Sequence, residues 1–328
     1  MRQEVYDGHS EGALNYLDQE VTIDTESSFG ADVPLAISSP LLRRLEDTAR
    51  PCVRMAVEGA SASVGATPLW LERASDIRTI GFSTRGKQSV LHLKAPRLGD
   101  AIPEMFDQPS LWPEMARPDE TAVHLIGRIG EIVMRHEVAS DMYDQPLLKH
   151  FSQWHSLFKR EVKQIHLPSS SEDSEAFTGL DMTLAQNARS LSDQMPAPRQ
   201  VRIVGKLDMV RHSTRSFALL LADGQEIRGV LEARDPELLQ KHFGKEITIF
   251  GKAIYRPSGS LLRLDAEEII DTTEGRLAFS TIPDALSKPF RTERKLQTGK
   301  TGVTAFFGTW PGEETDDDLL SALRELRH

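Results

Sequence analysis

Residues 201–233 read VRIVGKLDMVRHSTRSFALLLADGQEIRGVLEA, three apolar-rich runs separated by short polar breaks. The second break contains Asp223-Gly224, a pair that tolerates the positive φ of a tight hairpin turn. Three strands joined by turns are therefore expected. Downstream, DPELLQKHFGK has the marks of a helix: Asp235 as cap, Pro236 at the first position and Gly244 just past the end. EITIFGKAIYR and SLLRLDAEEI then add two strands around a turn at Pro257, Ser258 and Gly259.

The order strand-strand-strand-helix-strand-strand, over residues 199–270, resembles an OB-fold barrel. The resemblance implies a closed five-stranded barrel with its helix between the third and fourth strands, and no parallel pair is expected. Gly205, Gly229 and Gly251 fall inside strands, where a small barrel bends sharply.

Upstream, residues 1–38 are polar and read as irregular, with a short strand at 21–23. Residues 39–168 read as an α+β domain. Ser39-Pro40 looks like a helix start, with Leu41, Leu42 and Leu45 as its apolar face. Val53, Met55 and Val57 alternate with Arg54, Ala56 and Glu58, the period of a half-buried strand, and a second alternation passes through Leu69 and Leu71. RTIGFSTRGKQSVLHLK reads as a hairpin turning at residues 84–87. Two helices should follow. Ala122, Leu125, Ile126, Ile129, Ile132 and Val133 mark the face of one, with Asp119 as its cap. From Asp144, one apolar face is marked by Leu147, Leu148, Phe151, Trp154 and Phe158. A strand at Val162–Leu167 returns to the antiparallel sheet. Residues 169–198 and 271–304 read as linkers, and 305–328 as an aromatic-acidic tail ending in an amphipathic helix.

Composition narrows the class. With 328 residues, 39% of them hydrophobic, the chain can bury ordinary cores. A formal net charge of −10 argues against a surface built throughout to hold nucleic acid. One cysteine, Cys52, excludes an intramolecular disulfide framework and fits a reducing compartment. The N-terminus lacks an apolar signal region, and no run approaches the roughly 20 apolar residues of a membrane span. The expectation is a cytoplasmic protein with no membrane partner.

Catalytic and cofactor patterns are not legible. Gly299-Lys300-Thr301 echoes the end of a phosphate-binding loop, but Arg294 stands where that loop needs glycine. His150 and His155 are five apart and on different helical faces, and His136 has no second histidine four residues on. His124 and His166 read as surface or core-edge residues. Residues 81–86, GFSTRG, do not form a nucleophile elbow, because the second glycine comes one position late. Asp141 and Asp144 precede a helix and fit capping and dipole compensation. Cys52 reads as a buried, inert thiol. No catalytic residue, cofactor or metal is expected.

Two surfaces read as binding surfaces. Residues 199–270 carry twelve Lys and Arg against ten Asp and Glu, a local positive excess in an acidic chain. In the OB architecture, ligands meet the second and third strands and the loops after strands one and four. Those loops hold Arg211, His212 and Arg215, then Tyr255 and Arg256, with Lys206, Lys252 and Arg263 on the strands. Tyr255 is the main candidate for base stacking and Phe250 a lesser one, while Phe217 reads as core and Phe243 as closing the helix. Single-stranded nucleic acid is the ligand this patch would suit.

The tail, FFGTWPGEETDDDLLSALRELRH, is the other surface. Thr315 with Asp318 forms a capping-box-like pair, and Leu319, Leu320, Leu323 and Leu326 line one helical side. So short a helix is marginal alone in water and needs a surface to lie on. Phe306, Phe307 and Trp310 read as anchors in a groove, because aromatics bury large areas with few rotatable bonds. Such a tail is similar to those ending some small bacterial antitoxins, which implies a protein partner in a toxin–antitoxin or defence-type complex. The sequence thus points to a non-catalytic adaptor docking through its tail. The alternative is a nucleic-acid-binding accessory factor using the barrel loops.

Overall fold

The computed structural model describes residues 14–271, apart from residues 64, 108–110, 113–115, 160, 169–177 and 233–236. The chain opens with strand β1, Tyr16–Thr25, and helix α1, Leu35–Glu58. Helix α2 (Leu69–Ala74) leads to the hairpin β2 (Arg78–Arg85) and β3 (Gln88–Pro96). Short helix α3 (Leu98–Ala101) and a 3-10 turn at Pro103–Met105 precede α4, Ala122–Met134. Next come α5 (Gln145–Ser152), α6 (His155–Phe158), β4 (Val162–Leu167), β5 (Thr178–Leu180) and α7 (Met182–Gln194). The remainder is β6 (Arg199–Arg211), β7 (Ser216–Leu220), β8 (Glu226–Leu231), α8 (Glu237–Lys241), β9 (Glu246–Tyr255) and β10 (Leu261–Asp271).

Strands β2-β3-β1-β4-β5 form a five-stranded sheet, antiparallel at every pairing. The short strand expected at 21–23 lies within the longer β1, which sits between β3 and β4, while the rest of β1 falls in residues read as irregular. Its Val21 and Ile23 are fully buried against the helices, in one core that also takes Leu91, Leu93, Ile126 and Trp154.

The strand expected at 53–57 is instead the end of α1, which starts at Leu35, ahead of Ser39-Pro40. Residues 52–58 are all buried, so this turn of helix is covered on every side and an alternation among them carries no period information. Arg54 and Glu58, read as outward strand positions, form an i,i+4 pair at 2.9 Å, which only a helix allows. The alternation at Leu69 and Leu71 is likewise the short helix α2.

Helix α1 stops at Gly59, where φ is +74° and its N–H reaches the Met55 carbonyl at 2.9 Å. A side chain there would also strike the Trp112 indole, since a Cβ would lie 2.0 Å from its ring.

Helix α4 is capped by Thr121, which exchanges bonds with His124, and not by Asp119. The single helix expected after Asp144 is broken into α5 and α6, although Leu147, Leu148, Phe151, Trp154 and Phe158 are all buried as read. Residues 182–194, read as linker, form α7, which packs Leu184, Ala188 and Leu191 into the main core. The small polar residues around those apolar positions lowered its hydrophobic signal.

The second half closes into a five-stranded barrel in the order β10-β8-β7-β6-β9, with α8 between the third and fourth strands. Contrary to expectation one neighbouring pair, β10 with β8, is parallel; the barrel closes through it. Phe217, Leu219, Ile247, Ile249 and Leu264 fill the interior. Strands approach too closely for side chains at Gly205, Gly229 and Gly251. A Cβ on Gly251 would lie 2.2 Å from the Asp265 carbonyl, and one on Gly229 would lie 2.3 Å from the Phe217 ring. No helix among the described residues is long and apolar enough to cross a membrane.

Candidate functional site

Sheet layer and barrel belong to one compact unit, and the seam between them gathers the buried polar chemistry. Its centre is Arg263 on β10. Nη1 donates to Asp144 Oδ2 at 3.1 Å and to the Gly59 carbonyl at 3.2 Å, while Nε donates to Asp265 Oδ1 at 2.6 Å. The side chains of Arg263 and Asp144 are only 6% and 1% exposed. Burial pulls the guanidinium pKa down, but Asp144 and Asp265 overcome this and leave it above its ordinary value.

Asp144 also caps α5 through the Leu147 N–H at 3.2 Å and takes the Ser61 N–H at 3.0 Å. One carboxylate therefore joins the start of α5, the turn after α1 and the barrel. Arg263 meanwhile sits on the carbonyl just past the C-terminal end of α1, the end where the helix dipole favours a cation.

Further ties run along the seam. Arg256, in the β9–β10 turn, bonds Asp141 through Nε at 2.8 Å, and the Ser258 N–H reaches the Val138 carbonyl at 3.1 Å. Arg211, at the end of β6, donates to the Met105 carbonyl. Leu111 and Trp112 pack on Ala218 of β7 and Val230 of β8.

The residues chosen from sequence thus separate. Arg211, Arg256 and Arg263 hold the barrel to the sheet layer. Tyr255, expected as an exposed stacking platform, is 3% exposed and part of the barrel core. Lys252 is paired with Glu267 at 2.6 Å, and Lys206 lies 4.0 Å from Asp208 on its own strand. Phe250 is half-buried beneath Arg202, whose guanidinium carbon is 4.8 Å from the ring centroid. Phe217 is core and Phe243 is exposed. Asp144 caps a helix as read, whereas Asp141 serves Arg256. The tail residues Phe306, Phe307, Trp310, Leu319, Leu320, Leu323 and Leu326, and the Gly299-Lys300-Thr301 stretch, lie outside the described residues.

His212 and Arg215 do come together, beside residues the sequence reading passed over. They line a cavity of about 510 Å³ whose opposite wall is Arg54 and Glu58 of α1, with Ser63 and Trp70 nearby. Arg215 holds φ at +52°, in the left-handed region, where non-glycine residues are uncommon. A smaller adjoining cavity of about 260 Å³ shares Glu58, Ser63 and Arg215 and reaches Glu232 and Asp265. Glu58 is pushed above the ordinary carboxylate range by burial, a shift that Arg54 and Arg215 oppose. The i,i+4 spacing of Arg54 and Glu58 was the signal in the sequence, masked by the strand reading.

Cys52 is fully buried and burial pushes its thiol well up, which makes it a poor nucleophile. Among the described residues, no cluster of three His, Cys, Asp or Glu is placed to hold a metal ion. Compared with protein-family models, curated proteins and solved structures, the chain matches none.

Proposed function

We propose that this chain is a non-catalytic adaptor: a rigid body of sheet layer and OB-type barrel, with a C-terminal segment, residues 306–328, that docks on a protein partner. The closed five-stranded order and the helix between the third and fourth strands support the OB-type reading, while the parallel pair of β8 and β10 departs from the barrel expected from sequence. One observation carries the choice of adaptor over nucleic-acid factor. The face formed by β7 and β8, where OB barrels take ligands, is covered from within by Leu111 and Trp112. Both flanking loops are engaged in cis as well, through Arg211 and Arg256. A barrel whose ligand face is used internally favours a structural role, which leaves recognition to the tail.

Crosslinked co-purification from the source cells tests this. Leu323→Asp should lose the partner retained by wild type, because it puts a charge into an apolar contact, while Arg327→Ala should keep it. A chain ending at Gly302 that retains every partner overturns the reading.

The accessory-factor alternative keeps Arg215 and Lys206 as half-exposed and exposed cations, with His212 exposed beside Arg215. If it holds, replacing those three should weaken single-stranded oligonucleotide binding and reduce its salt slope by about 0.7 per lost phosphate contact. Absence of salt-dependent binding by the wild type removes it.

A further inference from the structure

We propose that the cavity between the end of α1 and the β6–β7 turn binds a small phosphomonoester of mononucleotide size, its phosphate held by Arg54 and Arg215. This site is independent of the adaptor reading, which uses the tail.

The size is suitable: about 510 Å³ lies within the range of small-molecule sites. The chemistry begins at Arg54. Its residue is 7% exposed, and its Nε is committed to Glu58 at 2.9 Å. Its Nη2 is buried without a hydrogen-bond partner, although the side chain lines the cavity. A buried guanidinium nitrogen with nothing to donate to is costly, and a rotamer change that turns Nη2 into the cavity would let an oxyanion there satisfy it.

Arg215 enters from the facing turn, and Ser63, Ser213 and His212 stand around the same space. Two guanidiniums and two hydroxyls make a donor-rich set, better matched to a phosphate with several acceptor oxygens than to a single carboxylate. Glu58 does not cancel this charge. It is one carboxylate between two guanidiniums, so the cluster keeps a positive surplus. The left-handed backbone at Arg215 fits this reading, since strain held at a bulky residue is found at ligand-binding positions.

The remaining wall sets the rest of the ligand. Ala66, Pro68 and the half-buried Trp70 give an apolar side against which a planar ring can lie. A phosphate joined to a planar group by a short spacer meets both halves, and a nucleoside monophosphate has that form.

The test is calorimetric titration of the full chain with adenosine 5′-monophosphate, inorganic phosphate and adenosine. The monophosphate should bind saturably, inorganic phosphate should bind more weakly and compete with it, and adenosine should give no saturable signal. Arg215→Asn removes the guanidinium but keeps a residue that tolerates positive φ. It should weaken the monophosphate by about tenfold or more with thermal unfolding unchanged. Trp70→Leu should weaken the monophosphate and leave inorganic phosphate as in wild type. Failure of both phosphate compounds to bind overturns the proposal. So does equal binding of adenosine, or wild-type affinity in a folded Arg215→Asn protein.

Discussion

Arg263, on the last strand of the barrel, donates at 3.1 Å to Asp144, the residue that caps helix α5, and both side chains are almost wholly buried. Two halves of the chain that could have moved independently are joined by a charge pair with little water to screen it. The Gly59 carbonyl, the Ser61 N–H and Asp265 complete the hydrogen bonding, which is what a buried ion pair requires.

Arg263→Met should therefore destabilise the protein by about 3–5 kcal/mol, because Asp144 would stay buried without its cation. Urea unfolding of the variant should show the loss, and should also separate the barrel transition from that of the sheet layer. A single unchanged transition would contradict this. Arg78→Ala, at a solvent-screened pair with Asp76, should shift the urea midpoint far less by the same measurement.

Gly59 and Trp112 should show coupled substitutions. Gly59→Ala places a Cβ into the indole and an alanine at φ +74°, so it should lower the thermal midpoint. Trp112→Ala should cost about 3–5 kcal/mol by uncovering Ala218 and Val230. The double variant should be less destabilised than the sum, since removing the indole relieves the clash but leaves the backbone strain. Additive values from a double-mutant cycle would refute the contact.

Glu58 should contribute a negative slope of stability against pH. Burial raises its folded-state pKa above the ordinary 4.5, so the folded protein binds the proton more tightly than the unfolded chain. Its stabilising effect is complete below the unfolded pKa and is lost as pH rises through the folded one. Glu58→Gln, which still accepts from Arg54, should flatten that part of the profile. Denaturant midpoints for both proteins from pH 4.5 upward give the comparison.

Cys52 should be silent towards a thiol reagent in the native protein and react at the rate of unfolding, because it is fully buried and its thiol is held protonated. A colorimetric thiol assay with and without urea decides it. Fast labelling of native protein would place the thiol nearer the surface than the structure does.

Local patterns carried much of this fold. The Asp223-Gly224 turn, the hairpin around Gly86, the cap at Asp144 and the core position of Phe217 were all legible, because each depends on neighbours within a few residues. The small barrel was readable for the same reason: its strands are successive and separated by turns with distinct chemistry. Tertiary structure decided the rest. Whether residues 53–57 were strand or helix could not be read from an alternation once every side was buried. The basic residues of the barrel read alike in sequence, but Arg211, Arg256 and Arg263 face carbonyls and carboxylates from distant parts of the chain while Arg215 faces a cavity. A charged side chain is defined by its partner, and for these residues the partner lies more than a hundred positions away. Only folding brings the two together.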